Sequence, residues 1–281
     1  MPVTPSLVLI DGEESDGRIS VFDDGLLRGD GCFEAIRSQG GRLFALDLHL
    51  LRLAASADAL QIPVPPSGDL IRWIETVAAA GGDCMIRVLL TRGATLPTHE
   101  APGRCIVLSY PVPPIPAGLS LLPVPAPWHA AGRAWELSGA KTISYAPNQA
   151  ATRTAQRAGF DDSLLITDTG VVLEGPTFSF AWVVDEVVET AALDMGILDS
   201  ITRRLMLDDC RDLGIEVRQG RFDLGRVREA SEVLAISTVR RVAPVIRVGE
   251  WTYSAGEIGA RLKEALFQRA QAMAPQFTTG R

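Results

Sequence analysis

The chain has 281 residues, of which 34 are acidic and 27 are basic, and its formal charge at pH 7 is −7. The basic residues are scattered, which argues against nucleic-acid binding through phosphate neutralisation. No apolar run approaches the roughly 20 residues of a membrane span, and the first residues lack the basic region of a secretory signal. Four cysteines without Cys-x-x-Cys spacing predict a reduced, cytoplasmic protein.

The first part of the chain predicts a mixture of strands and helices. Apolar periodicity and runs rich in Val, Ile and Leu predict strands at 6–10, 85–91 and 105–110 and helices at 48–60 and 68–80. Seven prolines between residues 111 and 127 remove backbone donors and disfavour regular structure. We therefore predict a linker there, a small N-terminal α/β domain over 1–117 and a larger domain over 118–281.

The second part of the chain is richer in strands. Its predicted strands are 119–122, 163–167, 171–173, 180–189, 216–219, 232–237 and 243–248. Its predicted helices are 147–158, 200–214, 224–230 and 255–272. The strands do not alternate regularly with helices, which favours an α+β fold over repeated βαβ units. We expect the last residues, 274–281, to fray.

Several common catalytic motifs are missing. The three histidines, His49, His99 and His129, lack metal-ligand spacing, so no metal site is expected. The sequence Gly29-Asp30-Gly31 begins like a dinucleotide-binding fingerprint, but Glu34 stands at the third glycine position. Neither a phosphate-binding Walker loop nor a Gly-x-Ser-x-Gly elbow is found.

Only two of the 27 basic residues are lysines. Lys263 lies in a charged, helix-like segment and is interpreted as a surface residue. Lys141 lies among small and apolar residues, where desolvation favours the neutral amine that Schiff-base chemistry requires. An exposed lysine in the turn after Gly139 is the alternative interpretation.

The chain resembles the class IV aminotransferases, which are fold-type-IV pyridoxal-phosphate enzymes. This family includes branched-chain and D-amino-acid aminotransferases, (R)-amine transaminases and aminodeoxychorismate lyases. The resemblance rests on six segments in the family's order: 29–34, 49–53, 141–145, 172–177, 196–203 and 237–245. It implies an α+β fold with a small N-terminal α/β domain and a larger, β-barrel-like C-terminal domain with helices. It also implies a homodimer that binds pyridoxal 5'-phosphate.

The resemblance assigns roles around the reactive part of the cofactor. Lys141 would form the Schiff base, and Glu174 would face the protonated pyridine nitrogen that makes the ring an electron sink. Tyr145 would donate a hydrogen bond to the phenolic oxygen of the cofactor. Leu198 would pack on the ring face, although an ordinary core residue is the alternative.

A second group of matched residues would bind the phosphate of the cofactor. Arg52 matches the family's phosphate arginine, with a solvated arginine on a helix surface as the alternative. Ile201 and Thr202 open a predicted helix, where free backbone N–H groups favour an anion. Ser237 and Thr238 match a second phosphate-binding turn.

The substrate side departs from the family pattern. The segment 91–99 resembles the loop in which D-amino-acid aminotransferases bind the substrate carboxylate, and it retains His99. Pro97 stands where those enzymes have an arginine. Arg28 and Arg240 are therefore the candidate cations for that carboxylate, and each has a surface arginine as its alternative.

The favoured function is transfer of an amino group between a D-amino acid, such as D-alanine or D-glutamate, and a 2-oxo acid. Aminodeoxychorismate lyase, which releases pyruvate and 4-aminobenzoate, is the first alternative. A branched-chain L-amino-acid or (R)-amine transaminase is the next. A non-catalytic cofactor-binding protein is disfavoured, because Lys141 and Glu174 are both present. No nucleic-acid or membrane partner is expected.

Overall fold

The fold is described by a computed structural model over residues 7–133 and 135–273. The chain divides into two units, and the division does not follow the sequence order strictly. Unit 1 comprises Met1–Pro113, Ala140–Tyr145 and Ala270–Arg281, and unit 2 comprises Pro114–Gly139 and Ala146–Arg269. The segment around Lys141 therefore belongs to unit 1, although the sequence places it in the second domain. The expectation that 274–281 frays lies outside the described residues.

Unit 1 contains a six-stranded antiparallel sheet with the order β2-β1-β6-β5-β3-β4. Its strands are β1 (Val8–Ile10), β2 (Glu13–Glu14), β3 (Gly31–Gln39), β4 (Arg42–Leu43), β5 (Cys84–Thr91) and β6 (Cys105–Pro111). Its helices are α1 (Asp24–Leu27), α2 (Leu46–Ala59) and α3 (Ser67–Gly81). The predicted helices and central strands of this part are therefore present.

The two faces of the unit 1 sheet differ in what covers them. Cross-strand partners share a face of a sheet, and the face that carries Ile36, Ile86 and Val107 packs on α2 and α3 through a buried apolar cluster. Successive residues of a strand point to opposite faces. Phe33 and Arg87 therefore lie on the face turned away from those helices.

Unit 2 is built on an eight-stranded mixed sheet with the order β11-β10-β9-β12-β13-β7-β8, in which β14 also pairs with β13. Its strands are β7 (Leu119–Pro125), β8 (Asp162–Ile166), β9 (Ser179–Val184), β10 (Val187–Ala191), β11 (Val217–Gly220), β12 (Glu232–Ser237), β13 (Arg241–Val248) and β14 (Trp251–Thr252). The remaining helices are α4 (Ala146–Arg157), α5 (Ile201–Asp212), α6 (Leu224–Arg228) and α7 (Glu257–Met273), with a short 3-10 helix at Leu193–Met195. The predicted α+β class is confirmed.

Turn geometry overturns one predicted strand of unit 2. The predicted strand 180–189 is a hairpin of β9 and β10, because Asp185 and Glu186 turn the chain with φ values of 50° and 64°. Two consecutive positive φ values are typical of the two-residue turn that matches strand twist. The predicted strand 171–173 was also wrong, since Val171 and Val172 form only isolated bridges.

The proline-rich stretch contains a strand where irregular structure was expected. Strand β7 pairs with β13 only over 119–121, whereas its pairing with β8 continues to Pro125. Pro123 and Pro125 therefore lie beyond the part of β7 that is paired on both sides, where the missing N–H groups are tolerated.

The cysteines are chemically shielded. Cys32, Cys84, Cys105 and Cys210 are all free and buried. Burial raises the pKa of Cys32, Cys105 and Cys210 to about 12, and it also raises the pKa of Cys84. Across the part of the chain that the structure describes, no helix has the length and apolar character needed to cross a membrane.

Candidate active site

Backbone hydrogen bonds fix Lys141 against the edge of β3. The N–H of Phe33 donates to the carbonyl of Lys141 at 3.0 Å, and the N–H of Ile143 donates to the carbonyl of Gly31 at 2.9 Å. The N–H of Lys141 donates to the Ser56 hydroxyl on α2 at 3.0 Å. A Cβ on Gly31 would lie 2.5 Å from the backbone carbonyl oxygen of Leu90 and 2.8 Å from the Ile143 side chain, so this position requires glycine.

Aromatic groups surround the Lys141 amine. Its Nζ lies 4.3 Å from the centroid of the Phe33 ring and donates to the Tyr145 hydroxyl at 3.4 Å. The Phe33 and Tyr145 rings meet edge to face, with centroids 5.3 Å apart. The structure thus brings together the predicted pair of Lys141 and Tyr145, and it adds Phe33. Lys141 is partly buried rather than exposed in a turn.

Arg52 is held by a buried carboxylate that the sequence did not assign to the site. Its Nε and Nη2 donate to the two oxygens of Glu34 at 2.7 and 2.8 Å. His49 Nδ1 lies 2.6 Å from the second of these oxygens. The Arg52 side chain is only 13% exposed, so it is not a solvated surface arginine. The three-residue spacing of His49 and Arg52 places both on one face of α2.

The charges of this cluster are well defined. Burial opposes ionisation of Glu34, but His49 and Arg52 outweigh it and lower the Glu34 pKa to about 2. Burial lowers the pKa of His49, so its ring is neutral at pH 7 and donates its Nδ1–H to Glu34. The ionised Glu34 therefore fixes the plane of the Arg52 guanidinium through two parallel hydrogen bonds.

In unit 2, Glu174 is oriented by a backbone donor. The N–H of Leu198 donates to Glu174 Oε1 at 3.0 Å, and His129 Nε2 lies 3.5 Å from the same oxygen. The side chains of Glu174 and His129 are 15% and 10% exposed. Two predicted residues, Glu174 and Leu198, are thus in contact. His129 was missed, because its segment, 128–130, gave no motif.

The two predicted phosphate segments of unit 2 meet at a helix terminus. Helix α5 begins at Ile201, and the Ser200 hydroxyl caps it by accepting from the Arg203 N–H. Thr202 is buried, and its hydroxyl oxygen lies 3.5 Å from that of Thr238. Free N–H groups at a helix start and adjacent hydroxyls suit an anion.

Ser237 has a different contact in the second of these segments. It is buried at the end of β12, and its hydroxyl accepts a hydrogen bond from the Arg240 N–H at 3.1 Å. Ser237 therefore shapes the turn that presents Thr238.

Two of the substrate-binding candidates have contacts within unit 1. The side chain of Arg28 is 61% exposed, and its Nε lies 3.4 Å from Asp24. The exposed His99 ring stacks on Phe22 with centroids 3.8 Å apart. These contacts place neither residue beside Lys141.

The third candidate, Arg240, packs within unit 2. Its guanidinium lies over the Phe178 ring, 5.2 Å from the centroid, and Nη1 donates to Thr177 at 3.4 Å. Asp162 lies 4.0 Å from its Nη2. Arg240 is therefore an anchored residue beside the turn at 237–240.

Comparisons with known proteins show which family the chain belongs to. The family described as Amino-transferase class IV matches residues 31–248. A putative branched-chain-amino-acid aminotransferase from Methanocaldococcus jannaschii is 30% identical over 272 residues, which are 90% of this chain and 91% of that protein. A bifunctional aminodeoxychorismate lyase/D-amino acid transaminase from Mycobacterium tuberculosis is 31% identical over 192 residues, which are 60% of this chain and 63% of that protein.

A solved structure extends the similarity to three dimensions. A fold-IV transaminase from Curtobacterium pusillum superposes with a TM-score of 0.82 at 30% identity, covering 90% of this chain and 92% of that one. The chain belongs to the class IV aminotransferase family, whose members use pyridoxal phosphate.

Each unit by itself carries donor groups of the kind that bind this cofactor. Unit 1 offers the Lys141 amine beside a tyrosine hydroxyl. Unit 2 offers a carboxylate held by a backbone N–H, and paired threonine hydroxyls at a helix start. When bound, pyridoxal phosphate supplies an electron sink for bonds to the Cα atom of an amino acid.

We predict that Glu34→Gln destabilises the protein by about 3 kcal/mol at pH 7, because it leaves the Arg52 guanidinium without its buried counter-ion. The Glu34 pKa is lowered on folding from 4.5 to about 2. Its stabilisation is therefore complete above pH 4.5 and is lost as the pH falls towards 2. Urea unfolding at a series of pH values measures both effects.

The matched control is Glu250→Gln, which changes an exposed glutamate. It should unfold like the parent protein at every pH. Equal stability of Glu34→Gln and the control at pH 7 would contradict a stabilising Glu34–Arg52 pair.

Proposed function

We propose that this class IV aminotransferase transfers the amino group of a D-amino acid, with D-alanine or D-glutamate favoured, to a 2-oxo acid. The observation that carries the chemistry is the Lys141 amine, held between the Phe33 ring and the Tyr145 hydroxyl. The preference for D-amino acids is supported by the segment 91–99 and by the Mycobacterium tuberculosis relative, whose name includes D-amino acid transaminase.

Within this proposal, Lys141 bonds the cofactor and moves a proton to and from the substrate Cα atom. Tyr145 would donate a hydrogen bond to the phenolic oxygen of the cofactor, and Glu174 would face its pyridine nitrogen. The Phe33 ring and the Tyr145 hydroxyl orient the Lys141 amine, and the neutral amine is the form that accepts a proton. Leu198 fixes Glu174 through its backbone N–H, and its side chain would pack against the face of the cofactor ring.

The proposed phosphate ligands are Arg52, Ile201, Thr202, Ser237 and Thr238. A guanidinium held in one plane and N–H groups at a helix start are both pre-oriented donors for phosphate oxygens. The ion pair with Glu34 keeps Arg52 from reorienting when the cofactor binds or leaves. This role makes Glu34 a positioning residue.

Two alternatives remain within the same family. Aminodeoxychorismate lyase chemistry is supported by the Mycobacterium tuberculosis relative, whose name also includes aminodeoxychorismate lyase. Branched-chain transamination is favoured by the name of the Methanocaldococcus jannaschii relative. Both would use the same lysine, but the lyase would eliminate pyruvate from its substrate, whereas the branched-chain enzyme would transfer an amino group.

We further propose that the enzyme acts as a homodimer in the cytoplasm. Val21, Leu26 and Leu27 of unit 1 lie close together in the sequence and are 63%, 58% and 52% exposed. Neighbouring exposed apolar side chains are typical of association surfaces. The four free cysteines are consistent with a reducing compartment.

The dimer predicts a sedimentation mass of about twice the 30.2 kDa chain. The double variant Leu26→Asp/Leu27→Asp should shift it towards one chain mass, because two charges would be buried without partners. The control Leu193→Asp replaces a leucine of unit 2 that is 43% exposed, and it should leave the mass unchanged. A parent protein that sediments as a single chain would refute the dimer.

The lysine assignment predicts a yellow protein whose cofactor becomes attached to the Lys141 peptide after borohydride reduction. Lys141→Ala should lose the attachment and at least about 1,000-fold of the activity, since the covalent bond and the proton carrier are both removed. Lys263→Ala is the control and should behave like the parent protein. Attachment at Lys263 would contradict the assignment.

Three separate incubations distinguish the possible reactions. They contain D-alanine with 2-oxoglutarate, L-leucine with 2-oxoglutarate, and aminodeoxychorismate alone. We expect pyruvate and glutamate from the first mixture, at a rate at least about tenfold above the second. Chromatography identifies the products. Rapid release of 4-aminobenzoate without amino transfer from D-alanine would establish the lyase instead.

A further inference from the structure

Arg240 links the two turns of unit 2 that carry proposed ligands of the cofactor. Its backbone N–H donates to the Ser237 hydroxyl at 3.1 Å, inside the turn that presents Thr238. Its Nη1 atom donates to the Thr177 hydroxyl at 3.4 Å, three residues after Glu174. One residue therefore contacts both the turn proposed for the phosphate and the turn proposed for the ring nitrogen.

The turn at 174–178 is tightly packed. The N–H of Gly175 donates to the carbonyl of Phe178 at 2.8 Å, and a Cβ on Gly175 would lie 2.2 Å from the Phe178 ring. The side-chain amide of Asn148 on α4 donates to the Pro176 carbonyl at 3.2 Å. The Phe178 ring is buried in the apolar core of unit 2. This turn is therefore a rigid support for a side chain that packs against it.

The Arg240 guanidinium packs against this support. Its Cζ atom lies 5.2 Å from the centroid of the buried Phe178 ring. On another side, Asp162 Oδ2 lies 4.0 Å from Nη2, and the other oxygen of Asp162 accepts from the Thr152 hydroxyl at 2.8 Å. A planar guanidinium can stack on a ring and donate from its edge at the same time, which favours arginine over lysine at this position.

The sheet by itself does not connect these two turns. Strands β9 and β12 pair as far as Ser179 and Ile236. The turn at 174–178 precedes this last pair, and the turn at 237–240 follows it, so both lie beyond the ladder. The Arg240 side chain adds contacts between them where the backbone hydrogen bonds of β9 and β12 have ended.

The spacing of the two turns matters because the cofactor is bound through several of its groups at once. After one group has bound, a second binds at a high effective concentration only if its protein ligand lies at the matching distance. A residue that fixes this distance strengthens binding of the whole cofactor without contacting it. It does not strengthen the binding of a fragment that has only one of the groups.

We propose that Arg240 is a positioning residue that fixes the spacing between Thr238, the proposed phosphate ligand, and Glu174, the proposed partner of the ring nitrogen. It acts through the Thr177 hydroxyl and the Phe178 ring and does not bind the phosphate itself. This inference rests on the cofactor contacts of the proposed function, and it is independent of which amino acid is the substrate.

The test compares Arg240→Met with Thr177→Val, which removes the accepting hydroxyl, and with the double variant. The matched control is Arg247→Met, because Arg247 on β13 also stacks on a ring, with its Cζ 4.3 Å from the centroid of Phe160. Each full-length protein is freed of cofactor and titrated calorimetrically with pyridoxal phosphate, pyridoxal and inorganic phosphate. The first ligand has both the ring and the phosphate, and each of the others has one of them.

For Arg240→Met and for Thr177→Val we expect the affinity for pyridoxal phosphate to fall on the order of tenfold. The affinities for pyridoxal and for inorganic phosphate should stay at the parent values. The double variant should lose no more than Arg240→Met alone, since both changes break the same connection. Arg247→Met should match the parent protein for all three ligands.

Three results would overturn the inference. Weaker binding of inorganic phosphate by Arg240→Met would show that the guanidinium binds the phosphate directly. Equal losses for all three ligands would show that the residue only maintains the fold of unit 2. Parent-like affinity for pyridoxal phosphate in Thr177→Val would show that the contact between the turns has no effect, and this variant remains informative if Arg240→Met does not fold.

The proposed cofactor contacts are checked separately with Thr238→Val. This variant should bind pyridoxal phosphate and inorganic phosphate more weakly and pyridoxal normally. If it binds all three like the parent protein, the proposed phosphate site fails and the Arg240 inference fails with it. If the binding pattern holds but D-alanine donates no amino group, the D-amino-acid proposal fails and the role of Arg240 stands.

Discussion

The backbone pairing between residues 31–33 and 141–143 is the contact on which the position of Lys141 in unit 1 depends. It gives the first residues of β3 hydrogen-bond partners and holds the lysine segment in extended form. The alternation of β3 then divides the chemistry between two faces. Phe33 contacts the amine of Lys141 on one side, and Glu34 fixes the guanidinium of Arg52 on the other. Two consecutive residues of β3 thus position Lys141 on one face of the sheet and Arg52 on the other.

Local sequence was sufficient for some of this arrangement. The apolar periodicity of α2 and α3 predicts both helices, because 3.6-residue spacing is a property of neighbouring residues alone. Lys141 could be singled out because the chain has only two lysines and the other has charged neighbours. The meeting of the α5 start with the turn at 237–238 was expected only from the order of the family's segments.

Other features depend on contacts between residues distant in sequence. The pairing of Glu34 with Arg52 joins residues 18 positions apart. In the sequence, Glu34 is visible only as the break in a glycine motif and as the end of the family segment 29–34. Likewise, prolines predict irregular structure, yet β7 accepts two of them because its neighbour β13 pairs only with its first residues. The sequence also does not show which of the 25 arginines form ion pairs. That distinction depends on three-dimensional contacts.

The chain passes between the two units more than once, so no single cut in the sequence separates them. The chain leaves unit 1 at Pro113, returns for the six residues Ala140–Tyr145, and leaves it again. A fragment ending in the proline-rich stretch would keep every strand of the unit 1 sheet, but it would expose the edge of β3 and lack the lysine. Exposed strand edges promote aggregation. Exchange of whole domains by recombination is therefore restricted in this architecture, because the Lys141 segment of unit 1 lies between two segments of unit 2 in the sequence.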